Sequence, residues 1–352
     1  MSLDRRQKLE IHYLMRLARA FDRRFESLLL TGQVAKWYSE IGNEATTVAT
    51  AYALEPGDAL LTLHRDLGAI LTHYLDLGRL CPELFPPDLS HPDPRRHPRD
   101  YMRTLACQLL GRAGGFSEGV ERSFHYGLLE REAGITHVGF ISHLGAMIPV
   151  AAGAALALKR DGKGGVALNY IGDGGTSTGD FHEAINMAAV LDLPLVLIIE
   201  NNQYAFSTPT SEQYRCIDLV DRAVGYGIEG TLVDGNDPEA IHAATLAAVA
   251  RARAGEGPAI IECVLGRLTG HAVGDGSFEV LPEELRARYL ATDPVPASQQ
   301  RLLDSKDLTP QVDEIIENSV EAQVEDAISH GLAAPRPDPA VAWRSMYSNG
   351  DA

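Results

Sequence analysis

The sequence predicts an α/β fold built on a doubly wound, mainly parallel sheet, and two observations carry that prediction. After Gly145, short continuous apolar runs alternate with longer helical stretches, the pattern of parallel strands covered by helices on both faces. Polar, glycine-rich clusters directly follow those runs, where the carboxyl ends of strands in an open α/β sheet gather functional groups.

Along the chain, Leu9, Tyr13, Leu17, Phe21, Phe25 and Leu28 recur every three or four positions and predict an amphipathic helix over Arg5–Leu30, ended by Thr31-Gly32. Ala59–Leu63 is a short strand candidate leading into His64-Arg65-Asp66. From Pro82 to Arg99 the prolines, mixed with charges and histidines, exclude regular helix or central strand and predict a loop or lid. An Ala/Gly-rich helix to Lys159, a strand Val166–Ile171, a helix Asp180–Leu191 and a strand Leu195–Ile199 follow. A helix Asp237–Ala254, a strand Pro258–Val264, an amphipathic helix near Val312–Ile328 and a Pro-rich tail complete the chain. The expected division is an N-terminal helical segment (1–57), an α/β domain (58–290, with the Pro-rich loop at 82–100) and a C-terminal helical appendage and tail (291–352).

Composition narrows the function. The chain has 352 residues, 45% of them hydrophobic, and a net charge of -17, which opposes binding to nucleic acid or to an anionic membrane. An anionic substrate would need a local basic pocket. Cys81, Cys107, Cys216 and Cys263 lack C-x-x-C spacing, as expected of reduced thiols in a cytoplasmic protein rather than a zinc site. Charges at Asp4, Arg5, Arg6, Lys8 and Glu10 interrupt any secretory pattern. The apolar run Leu144–Leu158 contains Pro149 and ends in Lys159-Arg160, so it reads as a buried helix and not a membrane span.

The chemistry concentrates where strand Val166–Ile171 ends in Gly172-Asp173-Gly174-Gly175-Thr176-Ser177-Thr178-Gly179. Glycines let the backbone approach a ligand, and their amides with a helix N-terminus favour phosphate. The next strand ends in Glu200-Asn201-Asn202-Gln203-Tyr204, so adjacent strands deliver Asp173 and Asn202 to one sheet edge. A carboxylate, an amide oxygen and a backbone carbonyl suit Mg²⁺, which completes its octahedron with phosphate oxygens and water. A nicotinamide-dinucleotide fold also places glycines between strand and helix, but Asp173 would repel a pyrophosphate unless a cation intervened, and the Asn-Asn pair has no part in that fold.

These motifs resemble the alpha subunits of the decarboxylating component of 2-oxo acid dehydrogenase complexes, of the pyruvate, branched-chain 2-oxo acid and acetoin types. The resemblance runs from about Tyr13 to Asp293 and includes Ile41-Gly42-Asn43-Glu44-Ala45, Arg65-Asp66, Ile148-Pro149-Val150-Ala151-Ala152-Gly153-Ala154-Ala155, Val233-Asp234-Gly235-Asn236-Asp237 and Arg267-Leu268-Thr269-Gly270-His271. It implies a thiamine diphosphate-binding fold, thiamine diphosphate and Mg²⁺ as cofactors, and oxidative decarboxylation of a small 2-oxo acid with acyl transfer to lipoamide. It also implies a beta subunit in an alpha2-beta2 heterotetramer, carrying the glutamate that activates the aminopyrimidine, and a lipoyl-bearing acyltransferase component. By the same resemblance Asp173, Asn202 and the Tyr204 carbonyl are the metal ligands. Gly172, Gly174, Gly175, His64, Arg65, Tyr204 and Phe206 join the cofactor site, the diphosphate falling to Arg65 and the Gly174 and Gly175 amides. A backbone carbonyl at Ser142-His143-Leu144 meets the aminopyrimidine, Leu144 wedges the cofactor into its bent form, and His271 lies near the diphosphate and the reacting carbon.

The chain departs from the pattern in places. His64 stands where the family usually has tyrosine, and Glu200 where branched-chain enzymes place a diphosphate-binding arginine. The family's Gly-Gly-Ser-Met-His segment is faintly echoed by Arg122-Ser123-Phe124-His125, and Gly270-His271-Ala272-Val273-Gly274 lacks the serine modified in mitochondrial relatives. His12, His73, His91, His97, His182, His242 and His330 are expected on surfaces or helix faces, without a role. Two other readings stand beside this one: a noncatalytic assembly subunit and a nicotinamide-dependent oxidoreductase.

Overall fold

A computed structural model describes residues 3–85 and 98–344. The strands are β1 (Ala59–Leu61), β2 (Leu128–Glu130), β3 (Ile135–Gly139), β4 (Ala167–Gly172), β5 (Leu195–Asn201), β6 (Tyr204–Ala205), β7 (Thr208–Pro209), β8 (Glu229–Asp234) and β9 (Ala259–Val264). Seven of them form one sheet in the order β2-β3-β1-β4-β5-β9-β8, and β6-β7 is a separate hairpin. Every neighbouring pair in the large sheet is parallel except β2–β3. From β1 the chain runs out to the edge strand β2, turns back into β3 beside β1, and crosses to β4 on the other side of β1. Such a reversal opens a crevice beyond the carboxyl ends of the strands.

The continuous apolar strands are explained by two cores, one on each face. Leu168, Tyr170, Val196, Ile198, Ile261 and Cys263 enter a cluster shared with helices Arg5–Leu30, Glu44–Ala51, Pro238–Arg253 and Pro310–Ala333. Their strand neighbours Ala167, Ile171, Leu195, Leu197, Ile199 and Ile260 face the other way, against helices Met147–Asp161 and Gly179–Val190. Each large aliphatic side chain buried this way contributes roughly 1.5–3 kcal/mol. Strand β8 was not expected from the sequence, because it lies at the sheet edge with Glu229, Gly230, Leu232 and Asp234 exposed and therefore has no apolar run.

The helices begin where short polar side chains satisfy their free amides. Asp4 and Gln7 form a capping box for Arg5–Leu30, and Asp237 accepts from the Glu239 amide at 3.1 Å ahead of Pro238. The helix Pro310–Ala333 packs across Arg5–Leu30 and Pro98–Leu109, with Ile316, Val320, Val324, Ala327 and Ile328 in the larger cluster. Arg16–Asp313 at 2.5 Å and Arg103–Asp326 at 2.8 Å pin its length. His12 and His242 both lie on helices and are buried there.

Of the segment expected to be a proline-rich loop or lid, residues 86–97 lie outside the described residues, and helix Pro98–Leu109 begins within its end. Among the described residues no helix is long and apolar enough to cross a membrane.

Candidate functional site

Strands β4 and β5 pair in register with Gly172 opposite Glu200, so Asp173 and Asn202 emerge side by side at the sheet edge, as their spacing predicts. Beyond Gly172 the chain makes a short 3₁₀ turn, Asp173–Ser177, closed by Thr176 Oγ1 donating to the Asp173 carbonyl at 2.7 Å. Thr178 then caps helix Gly179–Val190 and donates its hydroxyl to the Gly175 carbonyl at 2.9 Å. Gly145, at φ +90°, presses so closely on this cap that a Cβ would lie 2.2 Å from Thr178 Oγ1. That approach lays Leu144 against Gly175, where a Cβ would be 3.5 Å from Leu144 Cβ.

After β5 the backbone turns sharply. Gln203 (φ +67°) and Phe206 (φ +57°) both adopt the left-handed region, a strain of about 1–3 kcal/mol each that clusters at ligand sites. The turn is held from outside: Arg267, only 2% exposed, donates to the Phe206 carbonyl at 3.0 Å and the Thr269 carbonyl at 3.1 Å. Tyr289 donates to the Asn202 carbonyl at 3.1 Å. The Asn202 side-chain oxygen accepts from the Tyr204 amide at 3.2 Å. Asp173, 2% exposed, accepts from Gln213 Nε2 at 2.8 Å, and burial pushes its carboxyl up to about 6.

A cavity of about 280 Å³ opens onto these groups. His64, Arg65, Leu144, Gly172, Asp173, Gly174, Gly175, Asn202, Tyr204, Phe206 and His271 all line it. Ser142 does not: it lines a neighbouring chamber of about 600 Å³ that shares His64, Leu144 and His271 with the first, and its hydroxyl lies 2.6 Å from His125 Nε2. Leu144, 45% exposed, therefore stands on the boundary between the two spaces. Arg267, Asn43 and Glu200 also line the inner cavity. The first two lie inside motifs noted in the sequence, but nothing in a lone arginine or asparagine signals that the fold will bury it at a cavity wall.

Arg65 joins two loops. It donates to the Ser39 carbonyl at 2.6 Å, to the His271 carbonyl, and to His271 Nδ1 at 3.2 Å. Since arginine can only donate, Nδ1 accepts, and the proton of the neutral ring sits on Nε2. Neutrality follows from the surroundings: burial, then Arg65 and Arg267, push His271 down to about 4, and burial with Arg65 holds His64 well below the ordinary imidazole range. The ring of His271 is met edge-on by Tyr38 at 5.3 Å and by Phe206 at 5.1 Å.

Beneath the cavity lies a set of buried acids. Asn43 Nδ2 donates to Glu200 at 3.1 Å, Glu40 accepts from the Gly68 amide at 2.8 Å, and Asp66 accepts from the Leu63 amide at 2.5 Å. Burial, reinforced by the neighbouring carboxyls, raises Glu200 and Glu40 well above the ordinary range, and burial raises Asp66 to about 7. Glu200 thus sits at the cavity wall with its carboxyl bonded to Asn43.

Gly42 brings the Asn43 segment into place. It has φ +110°, and a Cβ there would lie 2.2 Å from the Gly266 carbonyl oxygen, while Leu268 donates to the Ile41 carbonyl at 3.2 Å. Both contacts are backbone, which cannot yield cheaply. Gly42→Ala is expected to destabilise the protein by about 3 kcal/mol, read as a lowered denaturant midpoint; an unchanged midpoint contradicts the packing described.

Chemically, the Asp173 carboxylate, the Asn202 amide oxygen and the Tyr204 carbonyl form a hard oxygen set suited to Mg²⁺. Among the described residues no group of three or more His, Cys, Asp or Glu side chains is arranged to hold a metal, and this donor set contains a single carboxylate. The four cysteines are free.

Comparison with known proteins bears on this arrangement. A family model described as the dehydrogenase E1 component matches residues 97–340. The alpha subunit of acetoin:2,6-dichlorophenolindophenol oxidoreductase from Cupriavidus necator is 31% identical over 346 residues, covering 98% of this chain and 95% of the relative. The 2-oxoisovalerate dehydrogenase subunit alpha of Bacillus subtilis is 30% identical over 349 residues, 99% of this chain and 97% of the relative. The pyruvate dehydrogenase E1 component subunit alpha of the same organism is 31% identical over 344 residues, 97% of this chain and 82% of the relative.

Proposed function

The chain belongs to the dehydrogenase E1 component family, among its alpha subunits, and from that premise we propose that it catalyses the thiamine diphosphate- and Mg²⁺-dependent oxidative decarboxylation of a 2-oxo acid, passing the acyl group to lipoamide. The family depends on thiamine diphosphate. The observation that carries the reading is the convergence of Asp173, Asn202 and Tyr204 on one cavity with Arg65, Leu144 and His271.

The residues present fit the cofactor and its metal. One carboxylate and two neutral oxygens leave coordination positions for phosphate oxygens and water, which Mg²⁺ retains in most protein sites. Asp173 is buried and its carboxyl raised by desolvation, a balance that a divalent cation reverses. Gly172 lines the cavity and would meet nothing within 4 Å if it carried a Cβ, so there is room for a ligand against the backbone.

When bound, thiamine diphosphate supplies a nucleophilic carbon and a sink for the electrons left by departing CO₂. In our assignment Asp173, Asn202 and the Tyr204 carbonyl hold Mg²⁺. Arg65, His64 and the Gly174 and Gly175 amides hold the diphosphate. A backbone carbonyl of the Ser142-His143-Leu144 segment, which runs along the boundary of the cavity, meets the aminopyrimidine. Leu144, braced by Gly175, is the wedge that keeps the cofactor in reactive shape, consistent with its position between the inner cavity and the chamber. His271, neutral and carrying its proton on Nε2, is the group that moves a proton near the reacting carbon, with Phe206 and Tyr38 fixing its ring.

A beta subunit is the expected partner in an alpha2-beta2 assembly, supplying the acid for the aminopyrimidine, and a lipoyl-bearing acyltransferase component accepts the acyl group; we assign the protein to the cytoplasm, a reading supported by its free thiols. The nicotinamide alternative loses its support, since a buried carboxylate in the glycine turn suits a metal and the family match lies elsewhere. The noncatalytic alternative is disfavoured by Asp173, Asn202 and His271 standing together on the cavity wall. Calorimetric titration of the chain co-purified with its beta subunit tests the reading: thiamine diphosphate is expected to bind with Mg²⁺ and weakly without it, and NAD not at all. Metal-independent binding of NAD, with no heat from thiamine diphosphate, would overturn it.

A further inference from the structure

The chamber outside Leu144 is out of character for so acidic a chain. Among the described residues lining it, Glu121 is the single carboxylate, set against Lys36 and Arg122, with Phe124, Phe140 and Leu110 supplying apolar wall. Lys36 Nζ lies 4.6 Å over the Tyr38 ring, which holds the ammonium against the wall by cation–π attraction. The same ring meets His64 at 4.9 Å and His271 at 5.3 Å, so Lys36 stands one aromatic ring away from the reacting end. Arg122 runs along Gly111, at φ +61°, where a Cβ would lie 2.6 Å from Arg122 Nε; the missing side chain makes room for it on the rim.

We propose that Lys36, supported by Arg122, is the anion-recognising element of the substrate chamber, drawing the 2-oxo acid in by the charge of its carboxylate. The inference rests on the reading of the inner cavity given above and adds the residue that captures its substrate. A protein with a net charge of -17 repels anions at long range, so an anionic substrate gains most from a local positive field at the entrance. The position of Lys36 also makes chemical sense. The carboxylate of a 2-oxo acid loses its charge as CO₂ leaves, and a cation in direct contact with it would stabilise the reactant more than the transition state. A cation one ring removed draws the substrate in without clamping the group that must depart, so Lys36 serves capture and leaves turnover to the inner residues.

The test uses the alpha-beta holoenzyme with an artificial electron acceptor, comparing wild type, Lys36→Met and Lys36→Arg at low and high ionic strength. Pyruvate and 2-oxoisovalerate are the anionic probes and acetoin the neutral one. Methionine preserves the stem against Tyr38 and removes only the charge. For the 2-oxo acids, Lys36→Met is expected to lower kcat/KM about tenfold at low salt, to change kcat by less than about twofold, and to flatten the dependence on ionic strength, with Lys36→Arg restoring all three. Turnover of acetoin is expected to stay unchanged. Unaltered kcat/KM in Lys36→Met, or an equal fall with acetoin, would each overturn the proposal. A wild-type holoenzyme inert toward all three probes would instead overturn the reading of the inner cavity, and this inference with it.

Discussion

Replacing Asp173 with alanine is expected to abolish Mg²⁺-dependent binding of thiamine diphosphate, lowering affinity by at least about 100-fold, or about 2.7 kcal/mol. The reason is charge. Asp173 is the single carboxylate in the donor set, and the Asn202 and Tyr204 oxygens that remain are neutral, so the cation would be left beside the diphosphate with no anionic protein ligand. Nor is a nearby carboxyl free to take its place: Glu200 is engaged by Asn43 and Asp66 by the Leu63 amide. The fold should tolerate the change, because Gln213 Nε2 keeps its second partner, the Thr208 carbonyl at 2.9 Å. Calorimetry with thiamine diphosphate and Mg²⁺, alongside thermal unfolding of the same variant, separates lost binding from lost structure. Wild-type affinity in a folded Asp173→Ala protein would remove the metal from this site.

How much of this was readable beforehand depended on whether a residue's environment is written locally. Strands β4, β5 and β9 were plain because both their faces are buried, which leaves a continuous apolar run. Asp173 and Asn202 were plain because each directly follows such a run, and parallel strands bring their ends together. The edge strand β8, half exposed, had no such mark. Arg267 was hidden for a different reason: its partners are carbonyls at Phe206 and Thr269, and the first lies 61 residues away. Lys36 follows a helix in a stretch without periodicity, and only the stacking of Tyr38 against His64 and His271 ties it to the site. Ser142 lines the outer chamber while Leu144 lines both spaces, a division that depends on the turn at Gly145 and has no mark in the local sequence.

The second large effect concerns assembly. The diphosphate and metal groups proposed here all lie on this chain, whereas among the described residues no carboxylate lining the cavity is free to serve the aminopyrimidine: Asp173 is assigned to the metal, and Glu200 is bonded to Asn43. Half of a catalytic site is expected to give essentially none of the rate, since residues that act as a unit are strongly non-additive. The most direct measurement is therefore decarboxylation of pyruvate and 2-oxoisovalerate, with thiamine diphosphate, Mg²⁺ and an artificial electron acceptor, by the purified chain alone and after addition of its beta subunit, with oligomeric mass followed by light scattering. The account predicts no turnover from the lone chain, and turnover together with an alpha2-beta2 mass once the partner is present. Full activity from a homo-oligomer of this chain, or none from the assembled pair, would contradict it.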